Sequence, residues 1–403
     1  MLLRFFYRSL TNVSWRLLYK AAFLWCGKSY FALRAFKKRL KNDIQFPPFL
    51  FFSLTDACNL RCRGCWVGGK MPMPARELSF ESVDKMICTA QKQSVNFFTL
   101  LGGEPFLYPE LWKIIEAHPE AYFQIITNGH YLDEEAVSRL KKLGNVSPLV
   151  SIDGLEHQND NRRGEGSFNS AVAGCQELQR QKILFGVATV VTFDNFEEVL
   201  TETYVQMFID QGAMYLWYYI YRPVGSEPAT HWALPPKHIL EMRKRLLKLR
   251  KKMPIILIDT YWDADGYAVC PASKGMAFVI GPQGSIEPCP PLNVAKDFIT
   301  DNGGDLYAVF NESQFLRRFR RRIEDTYQDN KSQGCLILDQ PYELAQFFRL
   351  ENVNDVSGRD LIRELEEREP KPSHYIPGGE IPENYWVYRL LKKMLFFGMG
   401  AYG

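Results

Sequence analysis

No uninterrupted apolar run in the sequence reaches the ~18–20 residues that a bilayer-spanning helix needs, so nothing in it reads as a membrane span. The first residues lack a clean apolar stretch followed by a small-residue cleavage site, which argues against a cleavable signal peptide. There is no internal repeat and no low-complexity tract, which excludes a solenoid or a disordered linker protein. A net charge of +3 over 403 residues, with no groove-reading motif, gives no case for nucleic acid. Residues 1–41 contain no aspartate or glutamate. Histidine is scarce, at six, and cysteine comes to an odd nine with no disulfide-like spacing. That usage fits a reduced, cytoplasmic protein.

Against these absences stands one dense feature, Thr55-Asp56-Ala57-Cys58-Asn59-Leu60-Arg61-Cys62-Arg63-Gly64-Cys65-Trp66. The three cysteines have C-x3-C-x2-C spacing and follow an apolar run, Phe49–Leu54. Thiolates select soft metals and iron–sulfur clusters. A closed zinc site or an ordinary [4Fe–4S] cluster wants four ligands. Here the local count stops at three, with no histidine close by in the sequence to complete a zinc set. A cubane held by three cysteines leaves one iron open to another ligand. The bland alternatives are a chance cluster or a lone zinc knuckle.

The surroundings have a regular order. Apolar, β-rich runs recur at Phe49–Leu54, Asn96–Leu101, Tyr122–Thr127, Pro148–Ile152, Phe185–Val191 and Met214–Tyr221. Charged, helix-compatible stretches separate them, among them Phe80–Lys92, Pro109–His118, Asp133–Leu143 and Phe168–Lys182. This alternation predicts an α/β fold with a parallel sheet and right-handed crossovers, a partial (β/α)6 barrel of the TIM type. In such barrels chemistry sits at the carboxyl ends of the strands. The informative residues fall there in turn: the cysteine loop, Gly102-Gly103-Glu104-Pro105, Thr127-Asn128-Gly129, Ser151-Ile152-Asp153-Gly154, Thr189 to Asn195, and Arg222-Pro223-Val224-Gly225.

With this order of turns the chain resembles the radical S-adenosylmethionine (SAM) enzymes. The resemblance implies that Cys58, Cys62 and Cys65 ligate a [4Fe–4S] cluster whose open iron takes the amino and carboxylate groups of SAM. It further implies that Gly102, Gly103 and Glu104 hold the SAM ammonium group, and that Ser151 and Asp153 bind the ribose. Asn128, Thr189 and Val224 complete the implied SAM site, strand five and the Val224-Gly225 turn bordering adenine. Many family members place an aromatic residue just before the third cysteine. Here that position is Gly64, with Trp66 after the cysteine.

The resemblance extends in part to the region beyond the barrel. Cys270-Pro271, the stretch Gly281–Pro290 with Cys289, and Gly334-Cys335 resemble the SPASM and twitch extensions, a β-hairpin around Pro282–Gly284 presenting Cys289. The dense C-x2-C-x5-C run of a full SPASM module is absent. Cys270, Cys289 and Cys335 thus imply one auxiliary [4Fe–4S] cluster without an assigned fourth ligand; the alternative is three buried structural thiols. Cys26, Cys88 and Cys175 fall in helical stretches without partner spacing and read as structural. The expected organisation is a basic amphipathic segment 1–46, a core 47–232, a helical linker 233–254, an auxiliary-cluster region 255–346 and a tail 347–403 with an amphipathic helix.

Both ends are basic and aromatic. Residues 1–41 carry ten lysines and arginines between Leu, Phe and Trp residues, and Tyr385–Phe397 repeats the composition. This is what a helix lying on an anionic membrane looks like, and equally what an amphipathic helix packed on a barrel looks like. The leading expectation is a radical SAM enzyme that acts on a small molecule or lipid, such as a membrane lipid or isoprenoid. It would draw electrons from a flavodoxin or ferredoxin and sit in the cytoplasm with peripheral contact to the inner face of the membrane. A peptide or protein maturase is the alternative, and a non-catalytic iron–sulfur redox sensor the third reading.

Overall fold

The computed structural model describes residues 1–67, 75–225, 227–327 and 331–394. Its chain opens with α1 (Leu2–Asn12), α2 (Trp15–Lys20), a π-helical segment Ala21–Gly27 and α3 (Lys28–Lys41). The six apolar runs then become parallel strands: β1 (Leu50–Ser53), β2 (Phe97–Leu101), β3 (Tyr122–Thr127), β4 (Val146–Ser151), β5 (Gly186–Val191) and β6 (Tyr215–Ile220). Each pairs with its successor in parallel. Strands buried on both faces carry nearly unbroken apolar sequence, and every residue of β2 and β4 is buried.

The crossovers are α4 (Phe80–Lys92), α5 (Leu111–Ala117), α6 (Glu134–Leu143), the pair α7 (Glu156–Arg163) and α8 (Ser167–Arg180), and the pair α9 (Phe196–Val199) and α10 (Glu202–Asp210). Their limits follow from caps. Ser79 accepts from the Ser82 amide before α4, and Asp133 from the Ala136 amide before α6. Gly144 then ends α6 in the left-handed conformation, with φ of 75°.

The region after α11 (Pro236–Lys252) does not stand apart from this sheet. Strand β7 (Ile256–Ile258) extends it beyond β6, and β8 (Val279–Ile280) pairs in parallel with β1 at the other edge. The expected hairpin forms when β9 (Ile286–Glu287) turns back along β8. The sheet order is therefore β7-β6-β5-β4-β3-β2-β1-β8-β9. The stretch beyond residue 255 thus adds short strands at both edges of the core sheet.

The amino-terminal helices close the other end. Trp25 stacks on Phe97 and Tyr122 at ring distances of 5.7 and 5.3 Å and meets Tyr215 edge-on at 5.5 Å. Those three residues begin β2, β3 and β6, so the indole seals the amino-terminal floor of the barrel. The crossover helices end at this floor, presenting carbonyls that have no partner within the helix. Basic side chains from the amino-terminal segment reach them. Arg8 donates to the Ile209 and Ala213 carbonyls at 2.9 and 2.8 Å, Lys20 to Leu143 at 2.7 Å, and Arg39 to Gln93 at 2.8 Å. Arg16 donates to the Lys141 carbonyl in the last turn of α6. Cations are favourable at helix carboxyl termini, which accounts for much of this basic composition within the fold. An apolar face still points outward, with Leu3, Phe6, Tyr7 and Leu10 of α1 all exposed. No helix among the described residues is long and apolar enough to cross a membrane.

The helix Trp386–Met394 docks beside β7, where the Tyr388 hydroxyl accepts from the Leu257 amide at 2.8 Å. Beneath it lies a buried ion cluster. Arg250 pairs with Glu383 at 2.6 Å and with Asp259, while Lys392 reaches Asp259 at 3.4 Å. Burial lowers the Lys392 pKa to about 7 despite Asp259. Leu395, Phe396 and Phe397, which the sequence places in the same amphipathic stretch, lie outside the described residues.

Candidate active site

A cavity of about 350 Å³ opens at the carboxyl end of the barrel. Phe49, Phe51, Trp217 and Tyr219 contribute aromatic wall, and six cysteines line it: Cys58, Cys62 and Cys65 with Cys270, Cys289 and Cys335. The two triplets, some 200 residues apart in the chain, thus face one space.

The loop carrying the first triplet is held by backbone. The Gly103 amide donates to the Thr55 carbonyl at 2.8 Å and the Glu104 amide to the Ala57 carbonyl at 2.7 Å. A side chain on Gly103 would collide with Ala57, and Gly102 has φ of 135° with Thr55 against it. The two glycines are needed because the turn presses on the cysteine loop, and both also line the cavity. Gly225 presses on the Cys65 carbonyl in the same way. Asn128 Nδ2 donates to Asn59 Oδ1 at 2.7 Å, tying the turn after β3 to the loop. The Tyr221 ring lies directly over Gly64, so an aromatic group stands beside the third cysteine although the sequence has none before it.

Burial pushes the Cys58 thiol up to about 12 and raises that of Cys62, where Arg163 acts in the opposite sense. Thiols in such a place ionise when a metal ion supplies the charge. Three sulfurs on a tightly clamped loop beside an open cavity fit a cluster with one free iron position.

The expected SAM contacts divide into two groups. Gly102, Gly103, Asn128, Ser151 and Val224 line the cavity. Glu104, Asp153 and Thr189 do not; they sit behind its wall. Glu104 is 1% exposed and accepts from Thr127 Oγ1 and the Asn128 amide, both at 2.8 Å, and from the Phe106 amide at 3.2 Å. Burial raises its pKa to about 7 against those three donors. Thr189 Oγ1 donates to the Ile152 carbonyl at 2.8 Å. Asp153, placed by the sequence on the ribose, instead pairs with Arg163 at 2.6 Å and with Arg162, and accepts from the Val190 amide at 2.7 Å. Burial alone would raise Asp153, yet Arg163 and Arg162 outweigh it and hold the carboxyl below its usual range. Both arginines line the cavity, and Arg162 Nε is buried without a hydrogen-bond partner. Sequence reasoning missed these two, although an Arg-Arg pair soon after the Asp153 turn was a visible signal.

The second triplet has a cation of its own. Arg222, just past β6, is half-buried, and its Nε donates to Cys335 Sγ at 3.2 Å. Burial works against the guanidinium charge, but Cys335, Tyr261 and Cys289 outweigh it and raise its pKa. Burial likewise raises Cys270 to about 11, with Cys335 adding to it, and raises Cys289 well above its usual value, with Cys270 and Cys335 adding and Arg222 opposing. Among the described residues no cysteine beyond these six lines the cavity.

Residues 52–202, from β1 to the start of α10, match the family model of the Radical SAM superfamily. This stretch is a radical SAM domain. The cofactors of radical SAM enzymes are a [4Fe–4S] cluster and SAM. Similar curated proteins include the AdoMet-dependent heme synthase of Methanosarcina barkeri, 32% identical over 39% of this chain and 46% of that protein. The sporulation killing factor maturation protein SkfB of Bacillus subtilis is 31% identical over 39% of each. The mycofactocin maturase MftC of Mycolicibacterium smegmatis is 25% identical over 70% of this chain and 75% of its own length. The chain thus spans less than half the length of the first two. Among solved structures, SuiB of Streptococcus suis bound to precursor peptide SuiA superposes with a TM-score of 0.58 at 18% identity, covering 70% of this chain and 69% of SuiB. The enzyme anSMEcpe with bound AdoMet gives 0.57 at 16% identity over 81% and 93%. At these identities the likeness is one of fold, and it extends well past the barrel.

Proposed function

We propose that the protein is a radical SAM enzyme that modifies a peptide, with one auxiliary cluster facing the substrate. The carrying observation is that two cysteine triplets line a single cavity at the carboxyl end of the barrel. Cys58, Cys62 and Cys65 would hold the SAM-binding [4Fe–4S] cluster, and Cys270, Cys289 and Cys335 the auxiliary one. When bound and reduced by a flavodoxin- or ferredoxin-type donor, the first cluster with SAM supplies a 5′-deoxyadenosyl radical, which abstracts hydrogen from a substrate. The chain's own residues prepare that site. Gly102, Gly103, Asn128, Ser151 and Val224 border SAM, while Glu104 fixes the Thr127–Asn128 turn from behind. Asp153 holds Arg162 and Arg163 toward the cavity, where they bind anionic groups of SAM or substrate. Arg222 offsets the negative charge of the auxiliary thiolates. The aromatic wall excludes water from the reacting centre.

The peptide reading rests on SkfB and MftC, named as maturation proteins, and on the fold shared with SuiB. A lipid or isoprenoid substrate, the leading expectation from sequence, is less well served. The apolar face of α1 lies at the amino-terminal floor, and the cysteines lie at the opposite end. The test is anaerobic incubation of the reconstituted protein with SAM, reductant and candidate substrates, following 5′-deoxyadenosine and substrate mass together. Modification of a short peptide encoded beside this gene supports the proposal; modification of lipid extract alone overturns it.

A second reading concerns location. Exposed Leu3, Phe6, Tyr7, Leu10 and Trp15, together with exposed Trp386 in the other basic helix, favour peripheral docking on an anionic membrane independently of the substrate. Cosedimentation with anionic and neutral liposomes at low and high salt, with and without residues 1–12, tests it. Equal and negligible pelleting in all conditions overturns it.

A further inference from the structure

Outside the cavity, one cluster joins three metal-ligating side chains that the function above leaves unused. Asp84 and Cys88 stand four residues apart in α4 and so share one face of that helix. His118, the residue that ends α5, completes the group, and the carboxylate, thiol and imidazole donor atoms lie within 4.8 Å of one another. None of the three lines the active-site cavity.

His118 has 6% side-chain exposure, and its Nε2 faces Asp84 Oδ1 at 3.1 Å. Among the described residues no other group offers this buried nitrogen a hydrogen bond, and a buried polar group is costly unless it is fully satisfied. Two ligand atoms each ~2.0–2.1 Å from a tetrahedral zinc ion are separated by about 3.3 Å, close to the spacing observed. The imidazole is also fixed at its base. The His118 carbonyl accepts from the Ala121 amide at 3.1 Å and from Asn145 Nδ2 at 3.2 Å.

We propose that Asp84, Cys88 and His118 form a zinc site that clamps α4 to the end of α5 on the outer surface of the barrel. An oxygen, a sulfur and a nitrogen donor make a borderline set that suits zinc. With Cys88 exposed, the fourth position opens to solvent and is filled by water. The site is a surface cross-link, separate from both cysteine triplets.

The probe is Co2+, whose tetrahedral d–d bands and sulfur-to-cobalt charge-transfer band report thiolate ligation. Protein with its iron–sulfur clusters reconstituted, so that the cavity cysteines are occupied, is titrated anaerobically with Co2+ and then with Zn2+. The expected result is one equivalent of Co2+ per chain with a thiolate band, displaced by one equivalent of Zn2+. Cys88→Ser removes the band; the residue is exposed, so this variant keeps its fold. His118→Gln weakens Zn2+ binding by at least the ~10–100-fold typical of losing even an outer-shell partner. Iron content stays the same in both. No thiolate band in the wild type, or an unchanged band in Cys88→Ser, overturns the proposal.

Discussion

The two ends of the barrel are built from the same α/β units but treat their polar groups in opposite ways. At the amino-terminal floor, helix carbonyls meet Arg8, Arg16, Lys20 and Arg39, and Trp25 fills the centre. At the carboxyl end, thiols are raised in pKa by burial, Arg162 Nε lacks a partner, and a cavity of about 350 Å³ is left between them. At the floor the chain's own cations and an indole occupy the helix ends, whereas the carboxyl end presents thiols and arginines to an open cavity. The first arrangement serves stability, and the second leaves room for a site.

Substitutions at the two ends should therefore separate stability from chemistry. The largest effect is expected from alanine at any one of Cys58, Cys62 or Cys65. SAM cleavage to 5′-deoxyadenosine, read by chromatography, should vanish while the thermal midpoint of the apo-protein barely moves. Next comes the variant lacking Cys270, Cys289 and Cys335. Its iron should fall from about eight to about four per chain on the two-cubane assumption, with SAM cleavage retained and substrate turnover lost. Trp25→Ala should give the converse pattern, a loss of ~3–5 kcal/mol in stability by urea titration with SAM affinity unchanged. A fall in affinity as large as that in stability would break the division between the ends.

Asp153→Asn probes the supporting layer. Releasing Arg162 and Arg163 from a charged partner should cost ~1.5–3 kcal/mol, read as a one- to two-decade loss in SAM affinity by equilibrium dialysis at unchanged iron content. The smallest effect concerns Lys392. Its folded pKa is lowered to about 7 from the ordinary 10.5, so between those values the unfolded chain binds the extra proton. Stability should rise with pH across that window, and Lys392→Met should flatten the rise in urea midpoints.

The parts of this arrangement that sequence revealed were those with a long physical signature. Tyr122–Thr127 and Phe80–Lys92 match the structure to the residue, the first because a doubly buried strand is apolar throughout, the second because Ser79 caps it. Strands β7, β8 and β9 have three, two and two residues, too few to carry a period. The basic amino terminus was ambiguous for a different reason. Lipid phosphates and helix carbonyls both attract cations, and composition does not say which is present. The SAM-facing turns were legible as an ordered series, but not which side chains face inward; Asp153 and Arg162–Arg163 exchange places behind and in front of the wall.

The seating of Trp25 bears on how the chain acquires its shape. The indole is made early, yet two of its ring partners open β3 and β6, the latter about 190 residues further on. Contacts so distant along the chain are slow to form, since loop closure must precede them. As the polypeptide emerges, the segment up to Lys41 has no floor to rest on and holds its Trp, Leu and Phe side chains in water until β6 exists. The indole sits in the π-helical segment Ala21–Gly27, a form found mostly as single turns within α-helices. Docking of residues 1–41 is thus expected among the last steps of folding.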